Sequence, residues 1–103
     1  MSSFPIVVAT FEEIQKIPTD GAKCFIWMDE VESFDLETQK VVFTEQSKEY
    51  DTEPLIIDAF TASAIIKVLD AVKPETRTKL IERLERNRAY FAHTVEQVWK
   101  CVK

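Results

Sequence analysis

A single glycine, Gly21, and a single histidine, His93, stand in 103 residues. Loops that wrap phosphate groups need several glycines for tight turns and close backbone approach, so no such loop is built here. The same count excludes the Gly-x-Ser-x-Gly turn that presents a nucleophilic serine. Zinc requires three or four His, Cys or acidic ligands at suitable spacing. His93 has only Glu96, Gln97 and Cys101 near it in sequence, and no Cys-x-x-Cys occurs. No metal and no cofactor is expected. Cysteine is scarce too. Cys24 sits beside Phe25-Ile26-Trp27, apolar surroundings that favour the neutral thiol and argue against a Cys–His catalytic pair.

Long hydrophobic runs are also missing. The first nine residues have no basic stretch and too short an apolar run for a signal peptide. Nothing approaches the ~18 uninterrupted apolar residues that span a bilayer. Cys24 and Cys101 are therefore expected to be reduced and unbridged, and the protein cytoplasmic.

What is present is an ordinary globular mixture, 46% apolar and 30% charged. The length points to one domain, residues 1–103, able to close a modest core without metal or disulfides. The net charge of −5 hides a polarity. Residues 1–60 carry four lysines against thirteen acids, and residues 61–103 carry nine basic residues against five acids. Such asymmetry marks either a binding face or two halves that attract each other within one fold or across a dimer.

Along the chain, Phe4 to Ala9 has the β-branched content of a strand. Thr10 followed by Glu13 forms a capping box opening a short helix that Pro18 stops. The stretch Lys23 to Phe34, which opens on the strand formers Cys24-Phe25-Ile26-Trp27-Met28 and turns acidic at Asp29, Glu30 and Glu32, and the stretch Val41-Val42-Phe43-Thr44 read as a hairpin joined by the polar loop Asp35–Lys40. Leu55-Ile56-Ile57 is a third short strand opened by Pro54. A three-stranded antiparallel meander is the economical arrangement, with residues 47–53 a polar connection. Thr61 looks like the N-cap of the next helix, and Pro74 belongs to the first turn of another. From Glu75 to about Val102 the chain is one long helix or two. Unbroken, it would be about 42 Å long at 1.5 Å per residue, more than a globule of this size accommodates. A break at Arg86-Asn87-Arg88 is favoured, because Asn87 is a poor interior helix residue and a good cap. The fold class is thus α+β, a small three- or four-stranded antiparallel sheet with a short N-terminal helix and two or three C-terminal helices.

The final stretch carries a seam of Ile81, Leu84, Arg88, Phe91, Val95, Val98 and Val102, spaced three or four apart. Arg88 needs a partner there. Phe91, Val95 and Trp99 offer more apolar surface than a short sheet covers, which makes them, with Arg88, candidate contacts to another molecule or a second copy. Asp29, Glu30, Glu32, Asp35 and Glu37 form an acidic rim at the strand ends that a basic partner could recognise. Lys79, Arg83 and Arg86 share one side of a helix, but Glu75–Lys79 and Glu82–Arg86 are positioned to offset part of that charge.

Leu55-Ile56-Ile57-Asp58, the run Thr61-Ala62-Ser63-Ala64-Ile65-Ile66-Lys67-Val68-Leu69-Asp70-Ala71-Val72, then Lys79-Leu80, Phe91 and Val98-Trp99-Lys100 together resemble small accessory proteins of tailed bacteriophages. The resemblance covers Pro54 to Val102 and its motifs are structural. It implies a protein acting in the cytoplasm of an infected bacterium, binding and modulating a host protein or complex, and it carries no catalytic residue. The expected function is non-enzymatic protein binding, with nucleic-acid binding through Arg77–Arg88 as the alternative and a small enzyme last.

Overall fold

The computed structural model describes residues 4–101. Strand β1 (Ile6–Val8) leads into α1 (Phe11–Asp20) and then β2 (Lys23–Ile26). A 3-10 turn, Met28–Glu30, precedes the hairpin β3 (Val31–Asp35) and β4 (Lys40–Phe43). Helix α2 (Glu45–Glu49), strand β5 (Leu55–Ile57), and helices α3 (Ala59–Ala71), α4 (Pro74–Arg86) and α5 (Arg88–Cys101) complete the order. The protein is α+β, with a short N-terminal helix and three C-terminal helices.

The strands pair differently from a meander. β2 lies at the centre of a three-stranded sheet ordered β1-β2-β5. β1 runs parallel to it and β5 antiparallel. Parallel neighbours need a crossover, and α1 supplies it. Cys24–Ile26 does not pair with Val41–Phe43. β4 pairs instead with β3, the acidic stretch Val31–Asp35. The reason lies in burial: every residue of β2 is buried, as befits the central strand of its sheet. β3 alternates weakly, with only Val31 buried and Phe34 half-buried.

Local boundaries follow capping chemistry. Thr10 caps α1, its hydroxyl accepting the Glu13 N–H at 3.2 Å. The return half of the capping box is replaced, because the Glu13 carboxylate accepts from the buried Lys23 ammonium at 2.8 Å. Pro18 does not stop α1. Its ring suits a helical φ and removes only one hydrogen bond, so the helix runs on to Asp20. Gly21 then ends it at φ 98°, with its N–H on the Ile17 carbonyl. The polar stretch after β4 is partly helical: the Thr44 hydroxyl accepts the Ser47 N–H and opens α2. Asp58, not Thr61, caps α3, its carboxylate accepting the Thr61 N–H at 2.8 Å. Pro74 sits in the first turn of α4 as expected.

The long C-terminal segment breaks at Asn87, whose backbone is extended at φ −164°, ψ 173°. The Asn87 side chain accepts the Tyr90 N–H at 2.9 Å and so caps α5. The break lets α4 and α5 pack on each other inside a molecule whose longest extent is 37 Å.

The core sits between the sheet and α1, α3, α4 and α5, around Phe25, Trp27, Ile65, Leu69, Leu84 and Phe91. Two polar contacts tie α4 into it. The Trp27 indole N–H donates to the Leu84 carbonyl at 3.1 Å, occupying one of the acceptors that a helix C-terminus leaves open. The Glu85 carboxylate accepts the Phe11 N–H at 2.8 Å, occupying an open donor of α1.

Candidate interaction surface

The seam divides once the helix breaks. Leu84, Phe91 and Val98 are buried, Ile81, Arg88 and Val95 are half-buried, and Val102 lies outside the described residues. Phe91, offered by its spacing as a docking anchor, is 3% exposed and presents no surface to another molecule. Its ring stands 5.1 Å from that of Trp27 and 6.2 Å from that of Phe25. The physical reason is that the first turn of α5 brings Phe91 against Phe25 in β2 and Trp27 just after it.

Arg88 finds its partner inside the chain. Its Nε and Nη2 donate to the two carboxylate oxygens of Glu30 at 2.8 and 3.0 Å. Nη2 also donates to the Glu53 carbonyl at 2.6 Å. The guanidinium stands 5.2 Å from the centre of the Trp27 ring, within cation–π range. Two residues that the sequence marked for different surfaces, Glu30 in the acidic rim and Arg88 in the seam, thus meet each other. They join the acidic half to the basic half.

At the other end of α5 the chemistry is similar and the exposure opposite. Trp99 and Val95 are half-buried against the core. Phe60, in the first turn of α3, lies on Trp99 with ring centres 5.4 Å apart. The Phe60 ring is 76% exposed. Phe60 was not among the residues marked from the sequence. A signal for it exists: it falls on the same helical stripe as Ser63 and Lys67, both exposed, where a large aromatic has no core to join.

Of the acidic rim, Asp29, Glu32, Asp35 and Glu37 are exposed. Asp35 has a local task, its carboxylate accepting the Glu37 N–H at 2.9 Å and shaping the β3–β4 turn. Leu36 at that turn and Met28 beside Asp29 are exposed apolar groups. On the basic side, Arg77 lies over the Phe11 ring and Arg86 over the Tyr90 ring, and Arg88 is held by Glu30. Lys79 and Arg83 line a shallow depression that also includes Glu82. Among the described residues the ion pairs do not include Glu75–Lys79 or Glu82–Arg86.

Cys24 is buried, Cys101 is exposed, and no disulfide joins them. Among the described residues no group of three or more His, Cys, Asp or Glu is placed to hold a metal ion, and no helix is long and apolar enough to cross a membrane. The Asp58 carboxyl is held below the usual carboxylate range by hydrogen bonds from Thr61, its backbone N–H first and its hydroxyl second. Compared with known proteins, the chain matches no family model, no curated protein and no solved structure.

Proposed function

We propose that this chain is a non-enzymatic protein-binding module whose docking anchor is the aromatic pair Phe60–Trp99. The observation that carries the proposal is Phe60, 76% exposed at the start of α3 and backed by the half-buried Trp99. A large aromatic held in place by its neighbours loses little side-chain freedom on binding, which is why such residues dominate interface energetics. The exposed acids Asp29, Glu32, Asp35 and Glu37 add long-range attraction toward a basic partner, acting on the rate of encounter more than on the lifetime of the complex. The resemblance of Pro54–Val102 to phage accessory proteins supports a host protein of an infected bacterium as that partner, with the chain acting as its modulator or inhibitor in the host cytoplasm. Self-association through the α5 seam loses support, because Phe91 is in the core.

Nucleic-acid binding through Arg77–Arg88 has less to work with than its charge count implied. Three of its arginines are engaged on Phe11, Tyr90 and Glu30, and Glu82 stands beside Lys79 and Arg83.

The test is capture from bacterial lysate by wild type and by Phe60→Ser. The captured protein is identified by mass spectrometry and its binding repeated with both components purified. Loss of a hot-spot aromatic is expected to weaken binding by about 2 kcal/mol, roughly 30-fold, with no steep dependence on salt. A partner held equally by both proteins removes Phe60 from the interface. Binding that instead collapses between low and moderate salt, with nucleic acid recovered, supports the alternative.

A further inference from the structure

The two edges of the three-stranded sheet are finished differently. Along a strand, successive residues turn their N–H and C=O groups to opposite sides. In β2, the Cys24 N–H donates to the Pro5 carbonyl and the Ile26 carbonyl accepts the Ala9 N–H. Cys24 and Ile26 therefore serve β1. Lys23 and Phe25 serve β5, through their register partners Ile57 and Leu55. It follows that Ile6 in β1 and Ile56 in β5 turn their backbone groups away from β2, one toward each edge. Both are register partners of Cys24, so the three residues form one row across the sheet.

At the β1 edge the outward groups of Ile6 are occupied. The Gln39 side-chain amide accepts from the Ile6 N–H and donates to the Ile6 carbonyl at 3.1 Å. One side chain thus makes both hydrogen bonds that a neighbouring strand would make. At the β5 edge no residue among those described plays that role, and the Ile56 side chain is 54% exposed. Ile6, Cys24 and Ile56 also line an apolar groove of about 630 Å³ on the face of the sheet, bordered by Phe4 and Pro54.

We propose that the open edge of β5 pairs with β5 of a second copy of this chain. The pairing is antiparallel, with a two-fold axis at Ile56, and makes one six-stranded sheet ordered β1-β2-β5-β5-β2-β1. A two-fold at a single outward residue is self-complementary: the Ile56 N–H of each copy donates to the Ile56 carbonyl of the other. The flanking chemistry favours this occupant over a long extended peptide. Pro54 has no N–H to give, and the Asp58 carbonyl already accepts the Ala62 N–H at 3.0 Å. A long strand would meet unpaired positions on both sides of Ile56, whereas another β5 is just as short. Charge agrees, because in this register Asp58 faces Pro54 across the axis, with no acid opposite an acid. The two exposed Ile56 side chains fall side by side on the same face and shield each other from water. The apolar row becomes continuous through both copies.

Sedimentation equilibrium of the full chain, wild type against Ile56→Lys, tests it, together with amide exchange of Ile56 by NMR. An edge lysine opposes strand pairing at a site already exposed, so the fold is retained, as far-UV circular dichroism will show. The expected result is a doubled mass for wild type, the monomer mass for Ile56→Lys, and an Ile56 amide that exchanges slowly when concentrated and quickly when dilute. A wild type that stays monomeric across the run overturns the proposal. So does a dimer that survives Ile56→Lys or leaves the Ile56 amide in fast exchange, since the contact then lies elsewhere.

Discussion

Phe25, Trp27 and Phe91 form one aromatic group of this molecule, and Phe60 with Trp99 forms another. Ring spacings are alike, 5.1 to 6.4 Å in the first and 5.4 Å in the second. Phe91 and Trp99 even share a helix, eight residues apart. Their fates differ because of what lies outside them. The first group is roofed by Arg88 and closed by α4, while the second ends at solvent through Phe60. Ring count and helical spacing do not separate a core from a docking surface. The elements that happen to cover each ring do.

That contrast is sharpest under substitution. Phe91→Ala is expected to cost about 3–5 kcal/mol, the usual range for deleting a buried ring, read from the midpoint of urea denaturation. A loss below about 1 kcal/mol would place the ring outside the core. Arg88→Ala comes next, at about 2 kcal/mol. It leaves Glu30, whose side chain is only 14% exposed, without its charge partner, but the Arg88 side chain is 28% exposed and water entering from that side softens the loss. A double-mutant cycle with Glu30→Gln separates the ion pair from the loss of the Trp27 roof.

The outer group depends on the helix start that presents Phe60. Asp58→Ala removes the cap of α3 and is expected to cost about 1 kcal/mol. The same carboxylate gives a pH signature. Its pKa is lowered in the fold, so its contribution is complete above the usual carboxylate pKa and is lost as the pH falls through the lowered value. The acid-range slope of stability should therefore be shallower in Asp58→Asn. Phe60→Ser sits at the bottom of the scale, within about 0.5 kcal/mol of wild type in stability, although it is the change expected to weaken partner binding most. A large destabilisation by Phe60→Ser would dissolve the distinction between the two groups.

Much of the local structure was legible in the residues. The α+β class followed from the strand-rich first half and the helical second half. The cap at Thr10 and the break at Asn87 followed from side-chain chemistry within a few residues of the boundary. What was not legible depended on pairing at a distance. The hairpin into β4 was legible from the polar turn before it, but nothing local says that its first strand is the acidic end of that stretch, Val31–Asp35, while the apolar start, β2, takes β1 and β5 as neighbours. Helix α2 carries no apolar stripe, and only Thr44 and Ser47 announce it. Asp58 was overlooked as a cap because Thr61, an equally suitable residue, stands three positions later and proves to be its donor. Among the candidate site residues, Arg88 correctly demanded a partner, but the partner came from a segment 58 residues away. Phe91 and Trp99 were alike on paper, and only the packing told them apart.

Gln39 has a consequence for engineering this chain. Its backbone is left-handed, at φ 62°, a conformation where glycine is normally the better choice, worth about 1 kcal/mol of relieved strain. A design rule applied to the turn alone would replace it. The replacement would strip both contacts from Ile6, each worth about 1 kcal/mol, and expose a naked rim for unwanted aggregation. Improving the loop would thus damage the strand beside it, thirty-three positions earlier in the polypeptide.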